Sequence, residues 1–516
     1  MKKIKVLEVN NIDLPGKIFN GYNFIGAYKD IDVKQMVCQK LSTNDNVIEL
    51  FDSEDKRLLF LKYQELEKEL SIHNIFSIST PCLLKSKEYS EADIIHFHMY
   101  HNTKLSLNSL KKISQEKNVI ISLHDPWFLT GRCVHFYSCD KWQNGCIDCP
   151  NLKSLFPLKK DHCNKLWKIK ENIFHEASIK AICPSQWMFN HIKKNPYLKD
   201  LDLDIIPFGV DTKVFNNQLN QADCRNELGI KNDSFVIFFR SQKEFKGLEY
   251  IIEALNKIDQ TKNITIMTCG EVGLLENLYN KYQVIEMGNV KEETLVKLYR
   301  ASNLFLMPST AETFGMMAVE SMACGIPIIV FKDTALEFVT DSPNCGISVK
   351  YKDSNELFTA IKNVINSKID IQKNIDYGLH LVKEKYSLSV YYDQIRNLYL
   401  NSLNICKKVK MHQNYNYQNI NSQLIKIINE FTKKTFKGNL QDILYLPTAI
   451  DKENIEYNED ELAFIDDYCL KVETLLTKRI IYVKGNLRYT LLRILKKNQS
   501  LYQYLKKMKN KFGGKK

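Results

Sequence analysis

Short apolar runs separated by amphipathic stretches organise the first two hundred residues. The runs are IKVLEV (4–9), ADIIHFH (92–98), NVIISLHD (118–125) and IKAICPS (179–185). β-Rich runs bounded by amphipathic segments predict a parallel sheet with helices on both faces. LDIIPFGVDTKVF (203–215) then supplies a strand, a proline and a glycine, which suits a linker. A second set follows: FVIFFRS (235–241), ITIMTCG (264–270), QVIEMG (283–288), NLFLMPS (303–309) and IPIIVF (326–331). Helical stretches such as GLEYIIEALNKI (247–258) and EETLVKLYRAS (292–302) separate these. Two successive doubly wound α/β units are the economical reading, with domains expected at 1–205 and 206–400. Such units bind ligands beyond the carboxyl ends of their strands, so two facing units would create a cleft.

Past residue 400 the pattern changes. HQNYNYQNINSQ (412–423) is polar and linker-like, and the remainder reads as helices with an acidic middle (451–467) and a basic end. A mostly helical extension is expected over 401–516. Near its end Leu487, Leu491, Ile494, Asn498, Leu501, Leu505 and Met508 follow a 4-3 spacing, an amphipathic helix with one polar interruption. Two readings stay open for it: packing on the main body or a partner helix, and adsorption to an anionic membrane face.

Charge sharpens this division. The chain carries a net +12, while 478–516 alone holds 13 Lys/Arg and no Asp/Glu; the rest therefore sums to −1, the difference between 12 and 13. Basicity belongs to the tail, which argues against nucleic acid as the main partner. The hydrophobic (44%) and charged (26%) fractions are those of a soluble protein. The opening MKKIKVLEVN reads as a first strand and not as a signal peptide. No apolar run approaches the ~18 residues that cross a bilayer. The expectation is a cytoplasmic protein, at most peripheral on the inner membrane face.

Candidate chemistry concentrates in STAETFGMMAVESMACGIP (309–327). Gly315–Cys324 predicts a short helix, closed by Gly325 and Pro327. Glu312 then precedes the helix and Glu320 lies inside it, roughly 8 Å further along the axis. That separation suits two parts of an elongated ligand better than one bracketed atom. Free amides of Phe314, Gly315, Met316 and Met317 would meet an anion at the helix N-terminus. Carboxylates beside a phosphate site accept hydrogen bonds from hydroxyls, as on ribose and a sugar. The alternative is a capped helix with two solvated glutamates. Arg240 at a strand end and Lys246 before a helix, both in FFRSQKEFKGLEY, would supply the two charges that a diphosphate needs.

EMGNV…ETLVKLYRASNLFLMPSTAETFGMMAVESMACGIPIIVF resembles the nucleotide-sugar-binding half of retaining glycosyltransferases of family 4. The Glu-x7-Glu signature, the Arg/Lys pair and the IPFGVDTKVF linker match in order, over about residues 1–400. The resemblance implies the GT-B fold, two Rossmann-like domains facing a cleft. It implies that Glu320 holds the ribose diol and that Glu312, with Thr313 beside it, holds the donor-sugar hydroxyls. Arg240 and Lys246 would stabilise the leaving nucleoside diphosphate over the 314–317 amides, with no catalytic metal. His124, at the end of NVIISLHD, resembles the family's histidine near the donor sugar. DLPGKIFNGYNF sits where the family has a glycine-rich loop, offering Gly16 and Gly21 in place of an adjacent pair. His96, His98 and His101 of HFHMYH read as structural or loop-orienting, because a strand and its exit loop are a weak metal signal.

Fourteen cysteines are present. Ten are scattered, as Cys183, Cys269 and Cys324 are, and read as buried free thiols. The other four cluster within an insert at 126–163: Cys133, Cys139, Cys146 and Cys149, spaced C-x5-C-x6-C-x2-C. A CxxC beside two further cysteines suits a small structural zinc knot, with His135 as a substitute ligand; reduced thiols or a disulfide formed on purification are the other readings. Its place just after His124 would let the insert shape an acceptor pocket.

Other chemistries lack their motifs. There is no GxGxxG after the first strand and no GxxxxGK[ST]. DID (30–32) and DLD (202–204) imitate a metal-binding Asp-x-Asp without its context. A glycosidase would use paired carboxylates, but an adjoining Arg/Lys pair and an anion-binding helix have no task there. The reading is a glycosyltransferase moving a sugar from a nucleotide-sugar donor to a glycan or lipid-linked acceptor with retention, in cell-surface polysaccharide or glycolipid synthesis. The alternatives are a nucleotide-sugar epimerase of similar fold and a non-catalytic scaffold.

Overall fold

The computed structural model describes residues 3–404 apart from 15–19, 52–60, 62–63, 65–66, 69–70, 76–78, 104, 108, 154–156, 260–262 and 369. All belong to the first of two compact units, Met1–Met411. The expected helical extension and its basic tail lie outside the described residues.

Two parallel sheets form the frame. The first contains β1 (Ile4–Ile12), β2 (Ile31–Gln39), β3 (Val47–Glu49), β4 (Ile94–His98), β5 (Asn118–Ser122), β6 (Ile179–Cys183) and β7 (Asp202–Ile205). Their order is β3-β2-β1-β4-β5-β6-β7. The second contains β8 (Phe235–Ser241), β9 (Ile264–Gly270), β10 (Gln283–Glu286), β11 (Leu304–Met307), β12 (Ile328–Phe331) and β13 (Ile347–Val349), ordered β10-β9-β8-β11-β12-β13. Each order reverses once, between β1 and β4 and between β8 and β11. Those switch points are where a doubly wound sheet opens a crevice at its carboxyl edge.

The central strands are buried on both faces, as their unbroken apolar character requires: β4, β11 and β12 have no exposed position. The expected strands are present, and β2, β3 and β13 join them. β2, IDVKQMVCQ, was hidden by its interleaved Asp, Lys and Gln. Gln35 is nevertheless fully buried; its Nε2 donates to the Asn20 carbonyl over 2.5 Å, while among the described residues its Oε1 has no hydrogen-bond partner.

Four helices position the site: α1 (Gln186–Lys194), α2 (Leu248–Asn256), α3 (Met316–Ala323) and α4 (Leu388–Asn401). Ser185 caps α1 by accepting from the Met188 amide at 3.2 Å. The helix expected at Gly315–Cys324 is α3, with those two residues as its caps. α4 follows the second sheet in sequence yet packs on the first. Val210 donates to the Tyr386 carbonyl (2.7 Å) and Leu388 to the Val210 carbonyl (2.9 Å). Arg396 forms an ion pair with Asp30, and Phe24 packs against Tyr391 at 5.7 Å between ring centres. One apolar core runs from Val6, Ile94 and Ile120 through Phe208 and Phe314 to Phe238 and Met307. The two sheets therefore share packing.

Candidate active site

On the second sheet, Arg240 lies at the end of β8 and its Nε donates to Gln242 Oε1 at 3.2 Å. The chain then turns back over the end of β11. Gly247 makes this turn with φ 72°, and a Cβ there would lie 2.0 Å from the Pro308 carbonyl oxygen. Only glycine permits that approach. The Thr310 amide donates to the Phe245 carbonyl at 2.8 Å, joining the two loops. Lys246 is thereby carried to Glu312, and the two form an ion pair with side chains 16% and 15% exposed.

α3 begins immediately beyond Glu312 and Thr313. Gly315 has φ 101°, and a Cβ would fall 2.3 Å from Leu336 Cδ2. The backbone can therefore start the helix at the cleft without a side chain in the way. Met316 and Met317 are half-buried on the first turn. Phe314 turns inward, 2% exposed, edge-on to Phe208 and Tyr386; only its backbone can serve a ligand. Glu320 lies four residues into α3, about 6 Å along the axis. The Tyr299 hydroxyl donates to Glu320 Oε2 at 3.0 Å and lies 3.1 Å from the Met317 carbonyl. Sequence reading missed Tyr299, which orients this carboxylate from the preceding helix. Cys269 ends near both Arg240 and Glu320: burial pushes its thiol up to about 11, Arg240 opposing and Glu320 adding to the shift.

On the first sheet, His124 follows β5 and stacks on Phe208 with centroids 5.4 Å apart. Its Nε2 is 3.0 Å from His98 Nδ1, and His98 Nε2 is 2.5 Å from Glu8 Oε2. Glu8 Oε1 accepts from the Tyr399 hydroxyl of α4. His96 bonds to the same hydroxyl through Nδ1 (2.9 Å) and to Ser122 Oγ through Nε2 (2.8 Å). Two of the expected loop-orienting histidines, His96 and His98, are therefore parts of one buried polar network that reaches His124. His101 approaches Asp125 at 3.6 Å. Burial raises Glu8 while His96 and His98 more than offset it, setting its carboxyl at about 2. Burial and then the neighbouring histidines hold His124 well below the ordinary histidine value, so it is neutral. Burial pushes Asp125 up to about 6. Gly21, at φ 79°, rests on this network: a Cβ would lie 2.7 Å from Glu8 Oε2 and 3.1 Å from His98 Nε2. Gly16 lies outside the described residues.

The two halves meet at Thr313. Its Oγ1 donates to the His124 carbonyl at 2.7 Å, and its own carbonyl accepts from Ser185 Oγ at 2.6 Å. Arg240, Lys246, Glu312, Thr313, the start of α3 and His124 are thus gathered at the carboxyl edges of facing sheets.

The cysteine insert departs from the zinc expectation. Among the described residues, the only acid, thiol and imidazole ligand atoms converging in threes within 4.8 Å are those of Glu8, His96 and His98. Cys133, Cys139, Cys146 and Cys149 do not form such a set, and all are unbridged. Burial pushes the Cys133 thiol to about 11 and that of Cys146 to about 12, the protonated form. Hydrogen bonds hold the segment together, among them those of the buried Arg132, which donates to the Asn151 carbonyl, and of the buried Lys170 amine, which burial pulls down to about 7. Asp161 accepts from the amides of Cys149 (2.7 Å) and Cys163 (3.0 Å), and the Gly131 amide lies 3.2 Å from Cys146 Sγ. Lys170 Nζ donates to the carbonyls of Trp127 (2.5 Å) and Thr130 (2.8 Å) above the Trp127 ring. His135, expected as a substitute ligand, instead packs on Phe245 at 5.4 Å, beside Lys246. The Asp-x-Asp imitations are structural: Asp202 and Asp204 both pair with Lys180, and Asp30 pairs with Arg396. The scattered cysteines Cys183, Cys269 and Cys324 are buried and free.

Two facing doubly wound sheets, with a helix that starts at Gly315 on one and a buried histidine on the other, make the GT-B fold of a glycosyltransferase. Residues 220–379 match the family described as Glycosyl transferases group 1. It is 25% identical over 341 residues to an uncharacterized glycosyltransferase of Methanocaldococcus jannaschii, covering 63% of this chain and 75% of the relative. It is 24% identical over 226 residues to the UDP-Gal:α-D-GlcNAc-diphosphoundecaprenol α-1,3-galactosyltransferase of Escherichia coli, covering 40% of this chain and 56% of the relative. The crystal structure of Anabaena HepE with UDP-glucose has the same fold, with TM-score 0.53 and 17% identity over 77% of this chain and all of that one. Among the described residues no helix is long and apolar enough to cross a membrane.

Proposed function

We propose that the protein transfers a sugar from a nucleotide-sugar donor to a hydroxyl of a glycan or lipid-linked acceptor, with retention, in synthesis of a cell-surface polysaccharide or glycolipid. The observation that carries this reading is the Lys246–Glu312 pair at the N-terminus of α3, opposite His124. A donor diphosphate competes for Lys246 and frees the Glu312 carboxylate to accept from sugar hydroxyls. Arg240 adds the second charge, and the amides at the start of α3 meet the phosphates with the helix dipole behind them. Glu320, oriented by Tyr299, accepts from the ribose diol. Protein cations then meet the charge of the departing diphosphate, and the acceptor hydroxyl attacks from the face it leaves. UDP-glucose in HepE and the UDP-galactose named for the E. coli relative support a nucleotide-sugar donor. The lipid diphosphate in that relative's name supports a lipid-linked acceptor class.

In this reading Gly16 and Gly21 serve close approach of the backbone to the donor phosphate or the acceptor. The basic stretch 478–516 adsorbs to an anionic membrane on the cytoplasmic face, where such acceptors reside. A panel of nucleotide sugars with lipid-linked acceptors, read by mass spectrometry and by the anomeric coupling of the product, tests the reaction. Absence of both transfer and donor hydrolysis across the panel would sink it. Deletion of 478–516 should abolish co-sedimentation with phosphatidylglycerol vesicles; unchanged binding refutes the membrane role.

A further inference from the structure

We propose that Glu8 and His98 form a buried ion pair that sets the tautomer of His124, holding its single proton on Nδ1. The inference rests on the reading of His124 as a substrate contact and adds how that contact is prepared.

A fully buried carboxylate needs a countercharge, because desolvation otherwise costs more than its hydrogen bonds return. Glu8 is 0% exposed, and among the described residues its ion-pair partners are both imidazoles. His96 does not need to carry the charge: the hydroxyls of Tyr399 and Ser122 serve its two nitrogens in the neutral form. His98 has a different setting, with the carboxylate at one nitrogen and another imidazole at the other. As an imidazolium it donates at both, from Nε2 to Glu8 and from Nδ1 to His124 Nε2. His124 then accepts at Nε2 and keeps its proton on Nδ1. A neutral His98 would reverse the last bond and move the His124 proton to Nε2.

The surroundings protect the pair. Gly21 lies so close that any Cβ would collide with Glu8 Oε2 and His98 Nε2, so its backbone packs directly on the pair. Tyr399 ties it to α4. The same atoms do not suit a cation: His98 Nε2 and Glu8 Oε2 are 2.5 Å apart, whereas two ligands on a tetrahedral zinc stand about 3.3 Å apart. Glu8 and His98 are therefore positioning residues, acting on substrate through His124.

The experiment uses the full chain labelled with 15N-histidine, with His124 assigned through His124→Gln. Long-range 1H–15N correlation near neutral pH should show His124 protonated at Nδ1 and His98 protonated at both nitrogens. Glu8→Gln should move the His124 proton to Nε2 and lower kcat about tenfold, with donor KM changed less than twofold. An Nε2–H tautomer in the wild type, or an unchanged tautomer in Glu8→Gln, overturns the proposal. Should Glu8→Gln fail to fold, the wild-type tautomer decides alone. Full transfer activity in His124→Gln would instead refute the role of His124 in the reaction, an outcome distinct from a wrong tautomer.

Discussion

The hydroxyl of Thr313 donates to the main-chain carbonyl of His124 over 2.7 Å. The same residue's carbonyl accepts from Ser185 Oγ, the cap of α1, over 2.6 Å. One residue of the donor-side loop is thus held by two elements of the facing sheet. This bond fixes the distance between the start of α3 and His124, the elements that the proposed function assigns to phosphate and to sugar.

Thr313→Val removes the donor at nearly constant volume. A net hydrogen bond of about 0.5–1.5 kcal/mol predicts a loss of about 3- to 10-fold in kcat/KM. Thr313→Ser should retain activity. Steady-state kinetics check this, and wild-type values for Thr313→Val would show the bond to be idle.

Lys246→Ala should lower kcat about 10²- to 10³-fold, as loss of one electrostatic group at a developing charge does. Lys246→Arg should recover part of this. Gly247→Ala puts a Cβ 2.0 Å from the Pro308 carbonyl at φ 72°. It should displace Lys246 and cost activity even though the cation remains, with stability lowered by about 2 kcal/mol or more. Donor titration and urea unfolding measure both effects; normal donor affinity in Gly247→Ala would contradict the placement argument.

Glu8 makes stability depend on acid. Its folded value of about 2 lies below the ordinary 4.5, so between these values the unfolded chain binds more protons. The contribution is complete above pH 4.5 and lost as pH falls from 4.5 to 2, about 3 kcal/mol in all. Glu8→Gln should therefore flatten the acid limb of a stability-versus-pH curve from chemical denaturation. Identical slopes in the two proteins would count against a buried ionised Glu8.

Cys133 and Cys146 are held as thiols by burial, at about 11 and about 12. Only the thiolate alkylates, so iodoacetamide should modify both in the native protein about a hundredfold more slowly than after unfolding in urea. Peptide mass spectrometry with time reads each position. Native rates equal to the unfolded ones would mean the insert leaves them exposed.

Much of the donor side was legible because its parts are local. Arg240 ends β8 and Lys246 lies on the turn that follows it, while Glu312 and Gly315 lie between β11 and α3 and Glu320 lies within α3. Short-range rules of strand ends, glycine turns and helix starts suffice to place them. The first-sheet site was not legible in the same way. Glu8 and His98 are 90 positions apart and Glu8 and Tyr399 are 391 apart, and no periodicity links them. The cysteine spacing suggested metal, but spacing does not report where sulfurs point. There the chain spends its hydrogen bonds on Asp161, Gly131 and Lys170 instead.

By itself the sequence determined the two parallel sheets, the helix that starts at Gly315 and the cationic turn ahead of α2, since burial on both faces and glycine-only geometry leave their mark residue by residue. Only the tertiary structure decided that Lys246 pairs with Glu312, that Thr313 bonds to His124 and that Glu8, His98 and Tyr399 lie behind that histidine. The physical reason is that hydrogen bonds and buried charges act over about 3 Å in space, whatever the distance along the chain, and only the folded topology sets which groups come that close.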